Sequence, residues 1–147
     1  LDFHWYIAGS GPDRHLLESE ITRRDIGDRM SLLGELENPF PAYQAADLVA
    51  MLSNYEGLSG VINEARVLGR PVIATSVSGV EEQLMTEESG LVVAQDDASI
   101  IAGMARMLTD EKLRERLAAG GFPRVLLNDD AKLDRLEELF LGSRSRL

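Results

Sequence analysis

Short apolar runs alternate with helix-patterned segments along most of this chain, and that alternation restricts the fold more than any single motif. FHWYIAG (3–9), MSLLG (30–34), LVAML (48–52), PVIAT (71–75) and GLVV (90–93) read as strands. Helices are predicted from about Asp13 to Arg24, from Gly60 to Leu68, and over 80–84, and NPFPAYQAAD (38–47) reads as a loop leading into a short helix. Strands joined through helices are parallel and cross over right-handedly. The expected fold is therefore α/β, a Rossmann-like, doubly wound parallel sheet. LVAML is apolar throughout, as suits a strand covered on both faces.

Beyond residue 93 the pattern is helical only. In DDASIIAGMARMLTD, Ile100, Ile101, Met104, Met107 and Leu108 recur at helical spacing, and EKLRERLAAG and AKLDRLEELFL follow. The methionines are read as core filler, and the GSRSRL tail as frayed. A length of 147 residues suits one domain. We expect a core over about 1–108 and carboxyl-terminal helices over 109–147. A net charge of −10 speaks against non-specific binding to nucleic acid or anionic lipid. Without cysteine there is no disulfide framework and no thiol nucleophile.

Ligands of such sheets sit beyond the carboxyl ends of the strands. Three turns fall at that edge: Gly9 to Pro12, Gly34 to Asn38, and Ser53 to Gly60. The third holds YEGLSGVINEA, with Glu56 in the loop and Glu64 on the following helix. Glu64 lies about 40° from Leu68 around that helix, at the margin of its apolar arc, and near its positive end. A half-buried carboxylate needs donors, and a vicinal diol supplies two. The amides of GLSG at a helix start suit phosphate or sugar oxygens. The combination fits a nucleotide-sugar.

Simpler readings stand beside this one. Glu64 could pair with Arg66 or Arg70, or be solvated. AGSGP fails as a dinucleotide fingerprint because Arg14 stands where glycine is required; a tight turn with Pro12 at the helix start explains it. His4 and His15 have no partners at metal-ligand spacing, and no Asp-x-Asp cluster occurs.

The order AGSGP, LLG, AADLVAMLSNYEGLSGVINEARVLGRPVIAT, SGVEEQL and SGLVV resembles the family 4 retaining glycosyltransferases. The likeness is to the carboxyl-terminal donor-binding domain of their GT-B fold and runs from Leu1 to about Leu108. It implies that Glu56 contacts the donor sugar and takes part in catalysis, and that Glu64 holds the ribose. It also implies contacts from the amides of Gly57, Leu58 and Ser59. Gly9, Gly11 and Pro12 would border the nucleotide, with Glu35 and Leu36 near the base. The family often has E-G-F-G where this chain has Glu56-Gly57-Leu58-Ser59, and a Gly-Gly pair where it has Ser78-Gly79, with Glu82 at the following glutamate.

The resemblance further implies hexose transfer, with retention, from a donor such as a UDP- or GDP-hexose. The expected acceptor is a bacterial surface polysaccharide or glycolipid, with no metal and no other cofactor. An acceptor-binding domain, and a first strand with a diphosphate-gripping arginine and lysine, would precede Leu1. The expected consequence is a gap in the sheet, with strand exchange or a homodimer as the route to repacking, and little activity or donor affinity alone. The expected location is cytoplasmic, with membrane contact only through a full enzyme peripheral at the inner face. The alternatives are a non-catalytic Rossmann-like nucleotide-binding or interaction module, and a sugar-nucleotide epimerase.

Overall fold

The computed structural model describes residues 1–120 and carries the expected alternation. Its strands are β1 (Trp5–Ala8), β2 (Met30–Gly34), β3 (Val49–Met51), β4 (Val72–Thr75) and β5 (Leu91–Val93). Its helices are α1 (Arg14–Arg24), α2 (Phe40–Ala45), α3 (Gly60–Val67), α4 (Val80–Gln83), α5 (Asp97–Thr109) and α6 (Glu111–Ala119). The helix expected in AKLDRLEELFL and the GSRSRL tail lie outside the described residues.

The strand pairs are parallel. β4 lies between β3 and β5, and all four of its residues are buried. Alternate side chains of a strand point to opposite faces, and here each face has its own core. Val72 and Ala74 join Met51, Ile62, Ala65, Val80 and Leu84, under α3 and α4. Ile73 joins Leu91, Met107, Leu113 and Leu117, under α5 and α6. That is the doubly wound layering the alternation requires. LVAML contributes to both layers: Val49 packs on the first cluster, and Leu48 and Ala50 on the second.

β1 pairs with β2 in a separate sheet, in parallel register from Trp5↔Met30 to Ala8↔Gly34. The outer edges of β1 and β3 carry no strand partner among the described residues. Among the described residues, the buried apolar ones run from Met51 to Leu117, and α1 buries none of its residues. α2, which follows β2 in the chain, packs against the larger sheet. Tyr43 packs on the first cluster, and Arg70 Nη1 donates to the Ala46 carbonyl at 3.1 Å.

α5 departs from the predicted stripe. Ile101 is 67% exposed, whereas Gly103 and Met107 are buried. The reason is close approach at Gly103: a Cβ there would lie 2.6 Å from Val93 Cγ1 and 3.0 Å from Ile73 Cδ1. With Gly103 against the sheet, a residue two positions away points about 200° around the helix, into solvent. The start of α5 is fixed by Asp96, whose side chain accepts from the Ser99 N–H at 2.9 Å, and that of α6 by Asp110, which accepts from Leu113 at 2.9 Å.

Gly103→Ala is expected to lower unfolding free energy by about 1–3 kcal/mol through overpacking. Chemical denaturation tests it, and unchanged stability would mean that α5 sits farther from β4 and β5 than described.

Candidate functional site

The first two turns meet at the carboxyl ends of β1 and β2. The Gly9 N–H donates to the Gly34 carbonyl at 2.6 Å, and Ser10 Oγ donates to Glu35 Oε2 at 3.3 Å. Gly9 and Gly34 hold φ at +126° and +73°, a region that strains residues with a Cβ. Gly11, Pro12 and Glu35 are exposed, and Leu36 is half-buried. His15 bonds the Pro12 carbonyl at 2.9 Å, and His4 bonds Ser31 Oγ at 2.9 Å and stacks on Tyr6.

The third turn follows β3 in the other sheet and is held from neighbouring strand ends. Thr75 Oγ1, at the end of β4, donates to the Ser53 carbonyl at 2.6 Å. Gln95 Nε2, just beyond β5, donates to the Asn54 carbonyl at 2.9 Å. Ser53 Oγ lies 2.9 Å from Glu56 Oε1 and 3.0 Å from Met51 Sδ. Its single proton goes to the carboxylate, the stronger acceptor. Half-buried Glu56 is thereby oriented by a hydroxyl three residues before it.

Gly57 and Leu58 follow on the surface, Leu58 being 75% exposed. Ser59 differs from the sequence expectation. It is 4% exposed, and its N–H donates to Gln83 Oε1 at 2.8 Å. Its amide is therefore engaged within the protein, whereas Gly57 and Leu58 are exposed residues of the same turn. Behind them Gly79 holds φ at +85°, and a Cβ there would fall 1.7 Å from the Gly57 carbonyl oxygen.

Glu64 is half-buried on α3. Tyr43 of α2 donates its hydroxyl to Glu64 Oε2 at 3.0 Å. The other oxygen lies back over the start of α3, where a Cβ built on Gly60 would be 3.6 Å from Oε1. There the helix's positive end favours a carboxylate. Among the described residues, Glu56 and Glu64 each have one oxygen engaged by a hydroxyl and the other without a protein donor. Burial, and then the bond to Glu64, push the Tyr43 phenol up to about 12.

The structure thus gathers Gly9 and Glu35, with the turns that contain Gly11, Pro12 and Leu36, at one strand-end cluster. Glu56, Gly57, Leu58 and Ser59 lie together in the third turn, and Glu64 lies on α3 with one oxygen over Gly60. Sequence reasoning did not find the supports Tyr43, Ser53, Thr75 and Gln95. Ser53 alone had a local signal, a hydroxyl at a strand end three residues before an acid.

Residues 2–110 match the family model described as "Glycosyl transferases group 1". The chain is 34% identical over 125 residues to an alpha-D-kanosaminyltransferase of Streptomyces kanamyceticus, covering 83% of this chain and 32% of that protein. It is 32% identical over 139 residues to the lipopolysaccharide core biosynthesis glycosyltransferase LpsD of Rhizobium meliloti (strain 1021), covering 92% and 40%. The chain therefore spans less than half the length of these relatives. Among solved structures it resembles a sucrose-phosphate synthase from Thermosynechococcus elongatus, with 28% identity and a TM-score of 0.79 over 97% of this chain and 39% of that one. It also resembles Anabaena Alr3699/HepE in complex with UDP-glucose, with 25% identity and a TM-score of 0.71 over 80% and 34%.

Because the phenol's affinity for its proton is raised by folding, the Tyr43 contribution to stability is complete below the ordinary tyrosine value of 10.0. It is lost as pH rises through about 12. In an alkaline ultraviolet titration, one of the three tyrosines should ionise late, near 12, and Tyr43→Phe should remove that step. Three ordinary titrations in the folded chain would contradict the Tyr43–Glu64 bond.

Proposed function

The chain belongs to the group 1 glycosyl transferases, and from that membership we propose that it forms the donor-binding part of an enzyme transferring a hexose from a nucleotide-sugar. The acceptor class we propose is a growing surface polysaccharide or glycolipid. The observation that carries this reading is the pair of half-buried glutamates, each oriented by a neighbouring hydroxyl with one oxygen left to accept. A carboxylate so placed suits a sugar hydroxyl or a ribose diol. The UDP-glucose complex of the similar Anabaena protein supports the donor class.

In this reading Glu64 accepts from the ribose hydroxyls, while Tyr43 fixes its rotamer. Glu56 accepts from a hexose hydroxyl, and its charge stabilises the oxocarbenium character that develops as the anomeric carbon leaves phosphate. The Gly57 and Leu58 amides face the transferred sugar or the diphosphate. With retention, the acceptor oxygen bonds the anomeric carbon on the face that the nucleotide leaves. The bond from that carbon to the phosphate oxygen breaks, and a phosphate oxygen takes the acceptor's proton. A chain of net charge −10 is a poor sole host for a diphosphate, so we assign the offsetting cations to an adjoining part of the complete enzyme.

A screen of UDP- and GDP-hexoses with the complete enzyme tests the proposal, with the product anomer read by NMR. Glu56→Ala should lower kcat by roughly 100-fold, as expected for losing one preorganised charge at the reacting centre. Glu64→Ala should raise the donor KM by about tenfold to 100-fold, for the loss of hydrogen bonds to a charged group. Full activity in both variants would sink these roles. Donor binding without transfer would favour the non-catalytic module, and an inverted product would remove retention.

A further inference from the structure

The loop after Glu56 is backed by a side chain that the transfer reading leaves unused. Gln83, the last residue of α4, is 6% exposed. Its Oε1 accepts from the Ser59 N–H at 2.8 Å, and its Nε2 donates to the Ser59 carbonyl at 2.8 Å. The same Nε2 reaches Asn63 Oδ1 at 2.9 Å. The amide's orientation is forced, because a backbone N–H only donates and a carbonyl only accepts. One side chain thus imitates the two-bond exchange of a sheet ladder.

Two further contacts join α4 to the same region. A Cβ at Gly79 would strike the Gly57 carbonyl, so the turn and the loop touch backbone to backbone. The Arg66 guanidinium of α3 donates to the main-chain oxygen of Gln83. The α4 turn therefore meets the loop at both ends, by close approach at Gly57 and by paired hydrogen bonds at Ser59. Leucine or methionine would fill a similar volume, so packing alone does not call for an amide here.

We propose that Gln83 is a positioning residue for sugar transfer: through Ser59 it sets the path of the loop that carries Glu56 and presents the Gly57 and Leu58 amides. This rests on the transfer reading above. Gln83 need not touch substrate, because a loop displaced by about 1 Å is enough to cost roughly 100-fold in rate.

Two substitutions in the complete enzyme separate positioning from bulk packing. Gln83→Met leaves both Ser59 groups without partners, and kcat should fall by about tenfold or more, by the same factor at every pH. Gln83→Glu at neutral pH sets a carboxylate against two acceptors, the Ser59 carbonyl and Asn63 Oδ1. Once protonated, the new carboxyl accepts with one oxygen and donates with the other, restoring both Ser59 bonds. Burial favours that protonation. Arg66, the charged group of α3 facing this turn, moves the recovery toward lower pH without changing its sign. Relative to wild type at each pH, Gln83→Glu should therefore regain kcat on acidification, while Gln83→Met stays flat.

Amide hydrogen exchange supplies a readout independent of transfer. The Ser59 N–H should be protected in the wild type, exposed in Gln83→Met, and protected again in acidified Gln83→Glu. Wild-type kcat in Gln83→Met, one shared pH profile for both variants, or an unprotected Ser59 amide in the wild type would overturn the proposal. A wild-type enzyme that transfers no sugar would overturn the transfer reading, and exchange at Ser59 would then decide whether Gln83 holds the loop.

Discussion

A loop that enters a protein's interior must find partners for its backbone groups without the regular bonding of a helix or strand. The segment from Ser53 to Ser59 meets that requirement with side chains from three other places. Thr75 and Gln95 take the Ser53 and Asn54 carbonyls, and Gln83 takes both groups of Ser59. Everything the site can do follows from this arrangement, because Glu56 and the Gly57 and Leu58 amides inherit their positions from it. The supports come from the ends of β4 and β5 and from α4, so the loop is only as well placed as the sheet behind it.

That sheet is built around β4, whose alternate residues serve two cores. Close packing on the α5 side depends on Gly103 having no side chain, and on the α4 side the approach of Gly79 to Gly57 depends on the same absence. Each is a place where one added carbon would move a helix or loop. The β1–β2 unit is different in kind. Its strands are paired and its turns tied together, yet among the described residues the buried apolar side chains all lie outside it, and α2, the helix that follows it, packs on the larger sheet. Tyr43 on α2 therefore does two things at once: it packs on the core and it fixes Glu64.

Much of the architecture was legible in the order of residues. The strands and helices among the described residues stand within a few positions of their expected places, because short apolar runs and helical spacing are local signals. Glu64 could be placed by angle alone, since its distance from Leu68 around α3 is a property of helix geometry. Where local patterning failed, another element had intervened. Periodicity alone places Ile101 in the apolar stripe of α5, but Gly103 meets Val93 and Ile73 and turns it outward. Ser59 was expected to offer its amide outward, but Gln83, 24 residues later in the chain, had already claimed it.

The residues' sequence alone determined the alternation of strands and helices, the parallel connections, the membership of Glu56 and Glu64 in one strand–loop–helix unit, and the acidic balance. Periodicity, turn chemistry and charge act over a few neighbouring residues, or simply add up. Tertiary structure decided which hydroxyl orients each glutamate, that the Ser59 amide is engaged by Gln83, and where the two sheets part. Those outcomes depend on contacts between segments far apart in the chain, and hydrogen-bond geometry that works to within a fraction of an ångström exists only after the segments have packed.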